Sequence, residues 1–546
     1  MDNQQYGYLK EINGKLVLGS FFSPAILNTR IYVCVVLFFQ LFLILPTIAQ
    51  NKVLPKLAKF SVVKDKPNII IFLTDDLGYG DLGCYGNPII KTPNIDRFAT
   101  QGVLLTDCHS GGTVCSPSRA ALLTGRNPHR VGFYDILGSN NCFLKSDELT
   151  IPEMLKPAGY ASCFVGKWHL SQLENNVKFK GQNNQPTPGT QGFDHWFATT
   201  HNSFDGPRSL KKFIRNGTAV GEINESYCNV IVKEACEWMS SIKKGKPFFL
   251  QVCTHEPHTP IDPPEEYSNQ YKNARVDSLE KNSKYGGLTR PAGIEKNKDK
   301  YYGTVSQLDN AFGQLMKYLD SAGLADNTLI IFTSDNGPES PVNFEESKGK
   351  WADPIRDNCF GTPGLLKGMK RFTYEGGHRV PGIIRWPSAI QPGQRSDQLV
   401  NGTDYFPTIC KIAGVTMPTD RVIDGVDAMP AFLNQPSSKE HTAIWLLHLN
   451  EDMYSAMPSM SMRYKEYTLI GHLPAKLDSV SLLNWMYQSK PVKFELYNIK
   501  KDMEQQFDIS KKYPELLKKI IPMMTNLWVD IREDGKKNAA TFKQKK

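Results

Sequence analysis

Four apolar runs, each ending in polar or ionisable residues, constrain this chain more than any other feature. Ile69-Ile70-Ile71-Phe72-Leu73 runs into Asp75 and Asp76, and Cys163-Phe164-Val165 runs into Lys167 and His169. Phe248-Phe249-Leu250-Gln251-Val252 leads to His255 and His258, and Leu329-Ile330-Ile331-Phe332 leads to Asp335 and Asn336. Runs without polar alternation suit strands covered on both faces, as in a mostly parallel sheet flanked by helices. Reactive groups gathered at the carboxyl ends of such strands mark the crevice where open α/β sheets bind ligands. Any one cluster would suit a turn, since Asp-Asn-Gly and Asp-Asp-Leu-Gly are turn formers. Four of them in one chain exceed what turn chemistry accounts for.

Helical stretches fall between these runs: Pro93 to Gln101, Tyr227 to Ile242, and Tyr302 to Ala322, with apolar residues near a 3.6 period. After about Ser437 the pattern changes to short strand-like pieces, Ala443 to Leu447, Tyr467 to Ile470 and Phe494 to Tyr497, then a helix from about Pro514 to Ile531. The expected fold is therefore α/β: a large mixed, mostly parallel sheet over residues 66–437, and a smaller antiparallel sheet with one packed helix over 438–535. The polar segments Ser171 to Gly189 and Glu265 to Lys300 exceed ordinary connections and suit loops that shape access to a crevice.

A chain of 546 residues with 40% apolar content is long enough for both parts. The net charge, 64 − 55 = +9, owes five units to Lys536, Lys537, Lys543, Lys545 and Lys546. Residues 536–546 thus read as a solvated basic tail, not as a nucleic-acid interface. Residues 31 to 49 form the only segment apolar enough to meet a membrane; Lys10, Lys15 and Arg30 precede it, and Thr47-Ile48-Ala49 suits cleavage. Residues 1–49 therefore read as a signal peptide, or as an uncleaved signal anchor, because 19 residues nearly span a bilayer. Both place the remainder in a secreted, periplasmic or lumenal compartment, touching a membrane only through an uncleaved leader. Asn216, Asn224 and Asn401 open glycosylation sequons. The eleven cysteines lack the dense spacing of small disulfide scaffolds, and Cys84, Cys163, Cys236 and Cys253 read as free and buried.

Cys115-Ser116-Pro117-Ser118-Arg119 is followed by Leu123-Thr124-Gly125-Arg126. Pro117 and the helix formers after it put Cys115 at a helix N-terminus, where orphan N–H groups and the dipole favour an anion. Asp75, Asp76, Asp335 and Asn336 are hard oxygen donors, suited to calcium or magnesium over zinc. The cysteine run resembles the signature of the type I sulfatases, within the alkaline-phosphatase superfamily. Pro67-Asn68-Ile69 to Gly78-Tyr79-Gly80-Asp81, Gly166-Lys167-Trp168-His169, Thr254 to His258, Thr333 to Gly337, and Gly368-Met369-Lys370 with Tyr374-Glu375-Gly376-Gly377 resemble five further segments in family order. Together they cover roughly residues 66 to 535.

That resemblance implies an alkaline-phosphatase-like sheet and a formylglycine (3-oxoalanine) made from Cys115 by a formylglycine-generating maturation enzyme. The hydrated aldehyde would attack sulfate esters. The resemblance further implies one calcium, or magnesium, on Asp75, Asp76, Asp335 and Asn336 beside Cys115. Arg119 and Lys167 would hold the hydrate and stabilise charge, and His169 would be the base that restores the aldehyde. Lys167, His255 and Lys370 would bind sulfate, with His255 and Lys370 the candidate acids. Asn202 and Ser203 lie in a loosely matching stretch and receive no role. The chain is similar to arylsulfatases and to sulfatases of glycosaminoglycan hexosamines, so the implied substrate is a sulfated carbohydrate or aryl sulfate. Two alternatives stand beside this reading: a formylglycine-dependent phosphonate or phosphodiester hydrolase, and an inactive glycan-binding relative that keeps the thiol.

Overall fold

The computed structural model describes residues 66–137, 142–173, 185–203, 206–274, 297–339, 361–437, 441–447, 459–477 and 479–543. The leader and parts of both long polar segments lie outside them. Among the described residues no helix is long and apolar enough to cross a membrane.

All four apolar runs are strands, and they are neighbours. The main sheet has ten strands in the order Gln394–Ser396, Val103–Leu105, Gly382–Arg385, Thr328–Ser334, Asn68–Asp75, Phe248–Pro257, Ala161–Lys167, His195–Thr199, Ile214–Arg215 and Thr218–Ala219. Thr328–Ser334, Asn68–Asp75, Phe248–Pro257, Ala161–Lys167 and His195–Thr199 run parallel to one another; Gly382–Arg385 and Ile214–Arg215 run antiparallel to them. Successive side chains on a strand point to opposite faces. Ile69, Ile71 and Leu73 accordingly join one core, and Ile70 and Phe72 join the other. Both faces are covered, which explains why the runs carry no polar alternation.

The helices Pro93–Thr100, Tyr227–Ser241 and Lys298–Ser321 fall where the periodicity places them. The smaller sheet is antiparallel, in the order Ile444–Leu446, Met460–Tyr464, Tyr467–His472 and Lys493–Asn498. Its Met460, Met462, Leu469 and Leu496 pack into the same core as Ile69 and Ile71. Met460–Tyr464 escaped the sequence reading. The closing helix, expected to stop near Ile531, runs from Pro514 to Lys543 and takes in the first lysines of the expected tail. All nine described cysteines are free; Cys163 and Cys253 are fully buried, whereas Cys84 and Cys236 are only half-buried.

Candidate active site

The strand order dictates the site. At the carboxyl ends of adjacent parallel strands stand Asp335, then Asp75 and Asp76, then His255, then Lys167. Gly166 lets the last of these strands end beside its neighbour: it has φ 105°, and a β-carbon there would lie 1.9 Å from the Cys253 carbonyl oxygen. The helix Cys115–Thr124 begins at Cys115, and Val114 before it makes no side-chain cap, so the helix presents uncapped N–H groups there. Ser116 and Ser118 serve local structure, Ser116 Oγ accepting from the Leu137 N–H and Ser118 Oγ donating to the Val114 carbonyl. The loop bearing Lys370 packs against the one bearing Asp335 through glycines, since a β-carbon on Gly337 would fall 1.9 Å from the Gly376 carbonyl oxygen.

Every sequence-derived site residue except His169 and His255 is within contact distance of another. Cys115 Sγ lies 3.6 Å from Asp75 Oδ1. Lys167 Nζ donates to Asp75 Oδ2 at 2.5 Å. Arg119 donates through Nε and NH2 to Asp335 Oδ2 at 3.0 and 2.7 Å, and through NH1 to the Lys167 carbonyl at 2.9 Å. Lys370 Nζ donates to Asp76 at 2.8 Å, and Asn336 Nδ2 donates to Asp76 Oδ1 at 2.6 Å. His255 joins through Asn202, whose Nδ2 donates to Asp75 Oδ2 at 2.8 Å and lies 3.1 Å from His255 Nδ1. His169 follows Lys167 by two residues, is buried, and its Nδ1 has no hydrogen-bond partner among the described residues. Asp76 and His169 adopt φ of 64° and 52°, a left-handed conformation that costs a residue with a side chain and that clusters at functional sites.

Burial alone would raise the Asp75 carboxyl, but Lys167, His258, Arg119 and Lys370 together hold it well below the usual range. Burial and the adjacent Asp75 push Asp335 up to about 7, the mark of carboxylates too close to ionise freely. Burial pushes the Cys115 thiol up to about 12, despite Lys167 and Lys370. A thiol held there is only about one part in 10⁵ thiolate at pH 7, so it lacks the depressed pKa of cysteine nucleophiles. Burial, then Lys167 and His201, keep His169 well below its usual value and therefore neutral. Burial opposes the Lys370 charge, but Asp76 holds its pKa well above the ordinary value.

The arrangement suits a hard divalent cation. Asn336 Oδ1 is buried without a hydrogen-bond partner among the described residues, and ligand atoms of Asp75, Asp76, Cys115 and His258 all lie within 4.8 Å of one another. A second buried group, Asp107, His109 and Glu375, meets the same spacing. Its carboxylates already take Arg463, at 2.6 Å from Asp107 and 2.7 Å from Glu375, which makes it a structural ion-pair cluster. Sequence reasoning noted His258 without giving it a role, yet its Nε2 lies 3.6 Å from Asp76 Oδ2. It also passed over Glu339, which pairs with Arg371 and approaches Lys370 at 3.5 Å. Glu339 lies four residues beyond Asp335, and that proximity was its only signal.

Comparison with known proteins identifies the family of the chain. The sulfatase family model matches residues 67–415, and a second, described as N-sulphoglucosamine sulphohydrolase, C-terminal, matches residues 368–522. The chain is 33% identical over 396 residues to N-acetylgalactosamine-6-sulfatase of Homo sapiens, covering 67% of this chain and 66% of that one. It thus spans just under two thirds of that relative's length. It is 31% identical over 444 residues to arylsulfatase A of Homo sapiens, with 77% and 78% covered. The crystal structure of Ps i-CgsB in complex with k-i-k-neocarrahexaose matches with a TM-score of 0.66 at 26% identity, covering 86% of this chain and 94% of that one.

Proposed function

Because this chain belongs to the sulfatase family of sulfuric ester hydrolases, we propose that it hydrolyses sulfate monoesters of a carbohydrate to the alcohol and inorganic sulfate. The observation that carries this reading is the position of Cys115, at an uncapped helix N-terminus and 3.6 Å from Asp75 in a carboxylate cluster. A formylglycine at 115 would supply a hydroxyl nucleophile, and a calcium or magnesium on Asp75, Asp76, Asp335 and Asn336 would polarise a sulfate oxygen.

The chain's own groups supply the rest. Asp75, Asp76 and Asp335 face Lys167, Arg119 and Lys370, so three carboxylates balance three cations, and a divalent ion leaves an excess suited to an anionic ester. Lys167 and Arg119 stand on the Asp75 and Asp335 side and hold position 115. Neutral His169 can accept a proton. On this reading the alcohol departs beside Lys370 and His255. Of these two, the geometry favours Lys370 as proton donor. His255 Nε2 faces the Pro260 carbonyl at 2.8 Å, and a carbonyl only accepts, so Nε2 carries the hydrogen. Nδ1 is then an acceptor, facing the Asn202 amide and the Ser203 N–H. His255 on this reading binds and positions, whereas Lys370 is a standing ammonium.

The leader, residues 1–49, supports export to a secreted, periplasmic or lumenal compartment. Residues 66–437 are taken as the catalytic domain and 438–535 as the C-terminal subdomain, whose closing helix continues into the basic segment as far as Lys543. A mass spectrum of the intact peptide spanning Cys115, from a host with the maturation enzyme, tests the central claim. An aldehyde at 115 with sulfate released from a sulfated sugar is the expected result; a plain thiol in protein that turns over sulfate esters would refute it. Comparing sulfate with phosphate esters of one alcohol separates the reading from a phosphodiesterase.

A further inference from the structure

A cleft of about 830 Å³ opens between the main sheet's end and the smaller sheet, and no residue assigned to the active site lines it. Its walls include Asp397, Tyr467, Lys501, Phe507, Lys512 and Tyr513. Phe507 is 69% exposed and lines this cleft. Its loop is fixed by the Asp502 carboxylate, which accepts from the Gln506 and Phe507 N–H groups at 3.0 and 2.9 Å. It is also tied to the segment carrying Lys370, because Gln505 Oε1 accepts from the Glu375 N–H at 2.8 Å. Tyr513 stands behind it, with its ring 6.0 Å from that of Tyr467.

Four of the five acids that line the cleft are engaged, and the fifth, Glu466, makes no ion pair among the described residues. Asp397 pairs with Lys500 at 2.8 Å, Asp427 with Lys411 at 2.5 Å, Asp107 with Arg463, and Asp502 with the two N–H groups above. Lys501 and Lys512 are exposed and form no ion pair with a carboxylate among the described residues. An exposed ring in one cleft with two ammonium groups that form no ion pair, Lys512 standing over the Tyr513 ring at 5.8 Å, offers an apolar face to sugar C–H groups and positive charge to sulfate. We propose that this cleft binds a stretch of the sulfated polysaccharide away from the ester being hydrolysed. The proposal rests on the carbohydrate sulfatase reading above. Two weak sites on one polymer raise its effective concentration at the active site without any new contact to the reacting group.

The test uses full-length protein carrying Phe507→Ala, Lys501→Ala and Lys512→Ala, with Lys512→Glu alone as a second variant at an exposed position. Binding is measured to polymeric chondroitin 6-sulfate and to iota-carrageenan in a Cys115→Ala background, so that no turnover is needed. The triple variant should bind at least one of these polymers on the order of 10-fold more weakly, the scale of losing one stacked ring and two anion contacts. With Cys115 intact, its kcat/KM for 4-nitrophenyl sulfate should stay within about twofold of the parent. Undiminished polymer binding by both folded variants, or a parent that binds neither polymer, overturns the proposal. A parent that binds polymer but releases sulfate from no substrate would instead overturn the function while leaving the cleft's role intact.

Discussion

Removing Lys370 should hurt sugar sulfates far more than activated aryl sulfates. The conjugate acid of an alkoxide lies near that of water, about 15.7, and that of a phenol near 10. An ammonium can therefore protonate a departing alkoxide downhill, while a nitrophenolate leaves with little help. General acid catalysis is worth about 10²- to 10⁴-fold, so Lys370→Ala should cost a sugar sulfate on the order of 10²-fold or more in kcat. Nitrophenyl sulfate should lose distinctly less. Lys370→Arg supplies the control: it keeps a cation near Asp76, 2.8 Å from Nζ in the parent, but a guanidinium does not surrender its proton. It should retain KM and still lose kcat on the sugar. His255→Ala should lower both substrates by a similar factor, because its Nδ1 accepts from Asn202 and holds no proton to give. The assay is sulfate release from one sugar sulfate and from nitrophenyl sulfate, with all variants matched for aldehyde content at 115. A selective loss in His255→Ala, with equal losses in Lys370→Ala, would refute the assignment and place the proton on His255.

Cys115→Ala should lower turnover by about 10⁴-fold or more and leave thermal stability nearly unchanged, since Sγ makes one long contact and alanine suits the first turn of a helix; appreciable sulfate release would rule out nucleophilic catalysis from this position. Chelation should suppress activity, with calcium or magnesium restoring it, because Asp75, Asp76 and Asp335 crowd together; full activity in protein shown to be metal-free by elemental analysis would contradict this. Arg463→Ala should destabilise the fold by about 3–5 kcal/mol in urea unfolding, the cost of stranding buried carboxylates, here Asp107 and Glu375. The same cluster carries a pH signature. Burial would raise Glu375, but Arg463, His109 and Arg379 bring it down to about 2 from an ordinary 4.5. A carboxyl depressed in the fold stabilises fully above its unfolded value and loses that contribution as pH falls through its folded value. Stability should thus decline between about pH 4.5 and 2, and less steeply in Arg463→Ala; identical slopes would show that Glu375 is not the group responsible.

What the sequence revealed and what it hid follow from where each residue finds its partner. The four central strands were legible because both faces are buried, so their apolar runs carry no polar alternation. Met460–Tyr464 was missed because it reads Met-Ser-Met-Arg-Tyr, and an arginine in a short run signals solvent. Arg463 is instead 1% exposed, its charge met by Asp107 and Glu375 from distant parts of the chain. The end of the last helix was misplaced for a related reason. Lysines marked it as tail, whereas Gly535 lies close against the His129 carbonyl and keeps the helix docked past Ile531.

The same rule divides the cysteine motif itself. Arg119 and Arg126 lie seven residues apart, and nothing in the motif distinguishes their roles. Arg119 turns inward to Asp335 and the Lys167 carbonyl, at the heart of the candidate site. Arg126 follows Gly125, which ends the helix with φ 68°, and reaches Glu148 at 2.7 Å and Asp534 at 2.6 Å. It thereby ties the helix that begins at Cys115 to the closing helix of the smaller sheet. A motif collects residues that must stay together, whether their partner is a substrate or a distant carboxylate. Only the partner tells the two apart. Arg126→Ala should therefore act through stability, with kcat per folded molecule retained, whereas Arg119→Ala should abolish turnover in protein that still folds.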